Sequence, residues 1–217
     1  LLGWWNMRCL NLYSGIGGNR RAWPSHAQVT AVEYDPIIAQ VYSDRFPDDE
    51  MVVGDAHGFL LENYKDFDFI WSSPPCPSHS QFRFFIGHKG RGLKAIYPDM
   101  KLYEEIIFLQ HYFKGLYVVE NTRPYYEPLI KPQMMGRHYL WANFTITEIN
   151  IPPSEIADRN TIREMEEKTG IDLGKYKMKN KRQILRNCVD SELGEHICNC
   201  AESHCIIKKG EDVKQVA

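Results

Sequence analysis

The sequence predicts an α/β domain built on a doubly wound, mostly parallel sheet, with a small C-terminal region added. Three observations predict it. Short apolar runs alternate with helical stretches over the first 120 residues, the order expected of a parallel sheet. A glycine-rich turn closes the first run and acids close the second and third, where such sheets hold ligands. The chain has 217 residues, enough for one domain with a full core.

Strands are expected at residues 8–13, 29–33, 51–53, 67–72 and 116–120. Helices are expected at Pro36–Arg45 and at 100–113. Asp35 is placed to cap the first, with Pro36 at its first position. Residues 73–98 read as one long loop with Gly87, Gly90 and Gly92. It carries Arg83, Lys89, Arg91 and Lys94 and no acid. Two more strands are expected at 139–144 and 145–149, followed by a break at 151–153. Residues 161–168 read as a short helix with a capping box, Thr161 and Glu164, and Gly170 just past its end. Residues 174–186 carry Lys175, Lys177, Lys179, Lys181, Arg182 and Arg186, again without an acid. The expected division is 1–150 as the main domain, 151–180 as a small recognition region, 181–200 as a segment returning to the domain, and 201–217 as a tail.

The formal net charge of -2 gives no global pull towards nucleic acid, so such binding needs local basic patches. No apolar run approaches the ~18 residues of a membrane span. LLGWW lacks the basic flank of a signal peptide, and Met7 is read as the natural start, with residues 1–6 extraneous. The six cysteines show no disulfide framework, which points to a reducing, intracellular setting. Cys198, Cys200, His204 and Cys205 match no zinc spacing and are read as part of a loose tail; no metal is expected.

LNLYSGIGGNR, residues 10–20, is a strand running into a turn where Gly15, Gly17 and Gly18 allow a ligand close to the backbone. VEYD places Glu33 at the second strand's tip, where an acid commonly holds a ribose hydroxyl pair. VVGDAHG places Asp55 at the third. The chain has no G-x-x-x-x-G-K-[ST], and its G-x-G-x-x-G is incomplete, with Arg20 in the last place. The cofactor therefore carries no pyrophosphate at this turn. S-adenosylmethionine fits, since it has ribose and adenine but no phosphate.

WSSPPCPSHSQ, residues 71–81, puts Cys76 just past the fourth strand, with Pro74, Pro75 and Pro77 stiffening the backbone around it. YVVENTRP closes the neighbouring fifth strand with Glu120 and Asn121. One reaction needs both a thiol and a carboxyl there. A thiolate adding to carbon 6 of cytosine makes carbon 5 able to attack an electrophilic methyl. A carboxyl on ring nitrogen 3 stabilises the charge that results. A base inside a duplex is out of reach and has to be flipped out.

These motifs resemble the cytosine-5 DNA methyltransferase family over roughly 8–149 and again at 181–197. LNLYSGIGG is similar to its first motif, which implies Tyr13, Gly15, Gly17 and Gly18 around S-adenosylmethionine in a Rossmann-like methyltransferase fold. VEYD implies Glu33 on the ribose and Tyr34 against the adenine, and GDAH implies Asp55 near the adenine amino group. SSPPCPSHS resembles PPCQ-x-x-S, making Cys76 the implied nucleophile, Pro75 a cofactor neighbour and Ser80 a DNA-contacting loop serine. ENT resembles ENV, implying Glu120 on the cytosine edge. QMMGRHYLW is similar to the Q-x-R-x-R strand through Gln133 and Arg137, and implies that Arg137 contacts the flipped base. RNCVDSELG resembles the closing motif and implies Asn187 at the cofactor. The chain departs from the family at Pro77, Met135 and Arg186, and lacks its large recognition domain. It is similar to a compact, phage-like or orphan member.

The partner implied is double-stranded DNA, met by a monomer in the cytoplasm of a bacterial or phage-infected cell; a restriction partner is left open. Arg83, Lys89, Arg91, Lys94, Lys175, Lys177, Lys179, Lys181 and Arg182 are expected on phosphates. Rival readings are an enzyme on free pyrimidine nucleotides, an RNA methyltransferase of the same family, a catalytically weak DNA-binding relative, and a Rossmann dehydrogenase. The incomplete glycine pattern disfavours the last. The transfer-RNA branch carries C-F-T where this chain has Cys76-Pro77-Ser78.

Overall fold

The computed structural model describes residues 7–24, 27–88, 94–150 and 160–215. Seven strands form one sheet: β1 (Arg8–Leu12), β2 (Gln28–Glu33), β3 (Glu50–Val53), β4 (Phe69–Ser72), β5 (Leu116–Thr122), β6 (Gln133–Met135) and β7 (His138–Ala142). Their order is β3-β2-β1-β4-β5-β7-β6. β1 to β5 are parallel, whereas β7 pairs antiparallel with both β5 and β6. The strand order reverses between β1 and β4, so a crevice opens at their carboxyl ends.

Helices are α1 (Pro36–Arg45), α2 (Ala56–Asn63), α3 (Gln81–His88), α4 (Lys101–Tyr112), α5 (Ile162–Thr169), α6 (Lys181–Asn187) and α7 (Ser191–Gln215). The strands carry apolar side chains on both faces, as a sheet covered twice must. Cys9, Phe69, Trp71 and Val118 pack with Leu193, Ile197 and Ala201 of α7 on one face. Leu10, Leu12, Ile70 and Val119 pack with Leu60 of α2 and Leu102, Ile106 and Leu109 of α4 on the other. A smaller cluster joins Val41 of α1, Met165 of α5 and Leu185 of α6 to Ile16 of the glycine turn. The small C-terminal region thus docks on the turn rather than standing apart.

Several elements have the chemistry foreseen. Asp35 caps α1, its Oδ1 accepting from the backbone of Ile37 and Ile38. The capping box of α5 is formed in both directions, and Gly170 ends that helix at φ 67°. Three expectations need correction, and one helix was not foreseen. Residues 73–98 are not one loop, because 81–88 are helical and present Phe84 to stack on Tyr125. Residues 56–63 form a helix that Asp55 caps. No strand forms at 145–149; the Gln133 side chain takes its place, donating to the Phe144 carbonyl and accepting from the Ile146 N–H. Residues from 201 are not a loose tail, since α7 runs to Gln215 and buries Leu193, Ile197 and Ala201 at helical spacing. The expected break at 151–153 and residues 1–6 lie outside the described residues.

All six cysteines are free, and among the described residues no His/Cys/Asp/Glu group could hold a metal ion. Among the same residues no helix is long and apolar enough to cross a membrane.

Gly194 lets α7 lie directly on the 3₁₀ turn Asn19–Ala22, where a Cβ would come 2.4 Å from the Asn19 carbonyl oxygen. Gly194→Ala should lower unfolding free energy by about 1–3 kcal/mol at unchanged m-value. Urea denaturation measures it, and an unchanged midpoint would contradict this packing.

Candidate active site

The turn after β1 is shaped by three positive-φ residues in a row of five, Tyr13 at 55°, Gly15 at 55° and Gly17 at 74°. It exposes the Gly15 N–H, which donates to Glu33 Oε2 at 3.0 Å, while the Asp35 N–H donates to Glu33 Oε1 at 3.0 Å. Two backbone donors therefore fix the Glu33 carboxylate at the tip of β2. A Cβ on Gly15 would meet nothing within 4 Å, so a ligand has room against this backbone. Gly17 departs from expectation. It lines none of the three cavities described below, and a Cβ there would sit 2.3 Å from the Phe46 ring, so it packs the turn on the end of α1.

Two cavities open along the crevice. One of about 320 Å³ is lined by Tyr13, Glu33, Tyr34, Asp55, Pro75 and Leu102, among others. The next, of about 370 Å³, brings together Gly15, Gly18, Pro75, Cys76, Glu120, Arg137 and Asn187. Tyr13, Glu33, Pro74 and Pro75 belong to both, so the two form one continuous site. The buried Ser14 hydroxyl also lines the second cavity and finds no hydrogen-bond partner among the described residues, which leaves it for a ligand.

Cys76 follows β4 in a loop that is held at both ends. The Asn121 side-chain amide donates to the Pro74 carbonyl at 2.9 Å, and the His79 and Ser80 N–H groups both donate to the Cys76 carbonyl at 3.0 Å. Burial pushes the Cys76 thiol above its ordinary pKa and the nearby Glu120 charge adds to this, while Arg137 acts the other way.

Glu120 is nearly buried near the end of β5. His138 Nδ1 lies 2.7 Å from its Oε1. Arg137 Nε donates to His138 Nε2 at 3.3 Å, so Nε2 accepts and the imidazole proton sits on Nδ1, aimed at the carboxylate. The register explains the meeting. His138 faces Thr122 across the β5–β7 ladder and is thus the diagonal, same-face neighbour of Glu120.

A third and larger opening, a cleft of about 780 Å³, adjoins the second cavity through Gly18, Thr122, Arg137, His138, Cys188 and Val189. Its cationic lining is Arg21, Arg45, Arg123, Arg137 and Lys168. Ser80 also lines it. Arg83, Lys94, Lys175, Lys177, Lys179, Lys181 and Arg182 do not, and Lys89 and Arg91 lie outside the described residues. The lysine-rich segment instead braces the fold. Lys175 pairs with Asp44 of α1 at 3.1 Å, Lys181 donates to the Leu173 carbonyl, and Arg182 donates to the Asn160 carbonyl. The cleft's cations come from separate elements and make no run in the sequence. His138 likewise carries no signal until β7 is set beside β5.

A parallel sheet with an antiparallel β7 beside β5, and a ligand crevice at its carboxyl edge, is the Rossmann-like fold of S-adenosylmethionine-dependent methyltransferases. Residues 7–92 match the family described as C-5 cytosine-specific DNA methylase. The human tRNA (cytosine(38)-C(5))-methyltransferase is 33% identical over 90 residues, 39% of this chain and 22% of that protein. The bovine enzyme of the same name is 37% identical over 76 residues, 32% of this chain and 19% of that protein. The matched segment therefore spans about a fifth of the length of these curated relatives. Among solved structures, the putative methyltransferase yhhF from Escherichia coli aligns with TM-score 0.42 at 18% identity, covering 63% of this chain and 74% of that one. A Spodoptera frugiperda DNMT2 variant aligns with TM-score 0.36 at 22% identity, covering 54% and 36%. The cofactor of this family and fold is S-adenosylmethionine, and the paired cavities fit it, with a fixed carboxylate for ribose hydroxyls, apolar walls and an unpartnered hydroxyl.

Because Glu120 helps keep the Cys76 thiol protonated, alkylation of Cys76 should be slow at neutral pH and accelerate with rising pH. Glu120→Gln removes the negative charge and should lower the thiol pKa, raising the neutral-pH rate several-fold. Peptide mass spectrometry of iodoacetamide-treated protein reads this, and equal rates would dismiss the coupling.

Proposed function

We propose that this chain is a DNA (cytosine-5)-methyltransferase that methylates a flipped-out cytosine through a covalent cysteine adduct. One observation carries the reading: Cys76, Glu120 and Arg137 line the same cavity as Tyr13, Glu33 and Pro75. A thiol, a carboxyl and a cation for a pyrimidine edge thus open directly onto the cofactor walls. S-adenosylmethionine, when bound, supplies an electrophilic methyl group.

The residues divide the remaining work. Cys76 Sγ adds to carbon 6 of the ring as nitrogen 3 gains a proton, and carbon 5 becomes nucleophilic. Glu120 Oε1 is occupied by His138, which leaves Oε2 for the ring edge. Burial, and after it the Glu120 charge, raises the Cys76 pKa, so neutralising that charge favours the thiolate. Arg137 favours the thiolate and lies where it can polarise the base. After methyl transfer, loss of the carbon 5 proton and of Cys76 restores the aromatic ring.

The cleft with Arg21, Arg45, Arg123 and Lys168 is proposed to hold the phosphate backbone of duplex DNA beside the site. The curated relatives are named as tRNA methyltransferases, and that favours RNA as the second reading. The chain's Cys76-Pro77-Ser78 departs from C-F-T and from PPCQ alike; DNA is proposed on the resemblance of the other motifs to the DNA family.

With methyl-labelled S-adenosylmethionine and mixed-sequence duplex DNA, nucleoside mass spectrometry should find labelled 5-methylcytosine, and Cys76→Ser should abolish it. Label in transfer RNA alone would transfer the reading to RNA; label in neither would overturn it. His138→Ala should reduce kcat on the order of 100-fold, as for loss of a group that sets a general acid, with cofactor affinity unchanged. A kcat within twofold of the parent would remove His138 from the chemistry.

A further inference from the structure

Beneath the cofactor cavity lies a buried carboxylate that the reaction does not use. Glu105 sits on the apolar face of α4 beside Leu102, Ile106 and Leu109, and its side chain is fully buried. Burying a carboxylate there is costly unless it is well paired. Three donors satisfy it. Tyr13 Oη donates to Oε1 at 2.5 Å, Ser72 Oγ to Oε2 at 2.6 Å, and His57 Nδ1 lies 3.0 Å from Oε1. His57 Nε2 in turn lies 3.5 Å from Glu104. Carboxylates therefore face both ring nitrogens, and the bond to Glu105 foremost raises the His57 pKa.

The three donors come from three elements. Tyr13 follows β1, His57 is in the first turn of α2, and Ser72 ends β4. Each adjoins a residue of the site: Tyr13 walls both cavities, His57 follows Asp55 by two residues, and Ser72 precedes Cys76 by four. Tyr13 is also the one non-glycine residue at positive φ among those described. Such a backbone persists only where its surroundings hold it. Its hydroxyl, reaching a residue 92 positions away, is a tether that does so.

We infer that Glu105 is the positioning residue of the cofactor pocket, holding the Tyr13 ring in place through the phenol hydroxyl and tying it to the strand that carries Cys76. This rests on the cavities being the S-adenosylmethionine site. A leucine at 105 would pack as well against α4's neighbours; what it would lose is the common anchor of three strand-end segments.

The test is a double-mutant cycle with Tyr13→Phe, Glu105→Gln and the pair, reading the Kd of S-adenosylhomocysteine by calorimetry and Tm beside it. Each single change should weaken binding about tenfold, the effect of losing one charge-assisted hydrogen bond, and the pair should weaken it no further than the worse single. Tyr13→Phe removes one oxygen and decides alone should Glu105→Gln not fold. A Tyr13→Phe Kd within twofold of wild type would overturn the inference, and with a lowered Glu105→Gln Tm would make Glu105 a plain structural carboxylate. A wild-type protein that does not bind S-adenosylhomocysteine would overturn the cofactor reading and this inference together.

Discussion

The site depends on β5 lying between a parallel and an antiparallel neighbour. Its parallel pairing with β4 sets Val119 opposite Ser72, so the Cys76 loop emerges beside Glu120 and Asn121. Its antiparallel pairing with β7 brings Arg137 and His138 back to the same edge from the far side. In a purely parallel sheet the next strand would arrive from the opposite edge, and these two side chains would reach the carboxyl ends only by a long loop. The reversal delivers them on a rigid ladder. Asn121 then locks the arrangement by donating to the Pro74 carbonyl.

That geometry creates an electrostatic tension. A thiol and a carboxylate share one cavity, and burial first, then the Glu120 charge, disfavour ionisation of Cys76. Neutralising Glu120 would remove the second of the two causes that raise the Cys76 pKa. His138 and Arg137 set the direction of the chain of donors that ends on Glu120.

Much of the fold was legible because its cues are local. Asp35-Pro36, Thr161 with Glu164 and Gly170 are short-range signals, and each forms as its sequence dictates. That Cys76 and Glu120 meet in one cavity was legible because one follows β4, the other lies near the end of β5, and these strands are neighbours. What was not legible depends on tertiary contact. The Gln133 side chain replaces a strand at 145–149, which no propensity reveals. Lys175, Lys181 and Arg182 look like a phosphate grip but are used on Asp44 of α1 and on the Leu173 and Asn160 carbonyls, while Arg21, Arg45, Arg123 and Lys168 converge from distant positions. Glu105 reads as one more polar residue in a helix until Tyr13, His57 and Ser72 are folded onto it.

The central claim is that Cys76 Sγ bonds carbon 6 of the target base. Duplex DNA carrying 5-fluorocytosine in place of cytosine tests it directly, because fluorine at carbon 5 cannot leave as a proton does and the adduct persists. With S-adenosylmethionine present, denaturing electrophoresis should show a protein–DNA species, and peptide mass spectrometry should place the nucleotide on the peptide containing Cys76. Attachment at another residue, or methylation of ordinary cytosine with no adduct on the fluorinated duplex, would contradict the account.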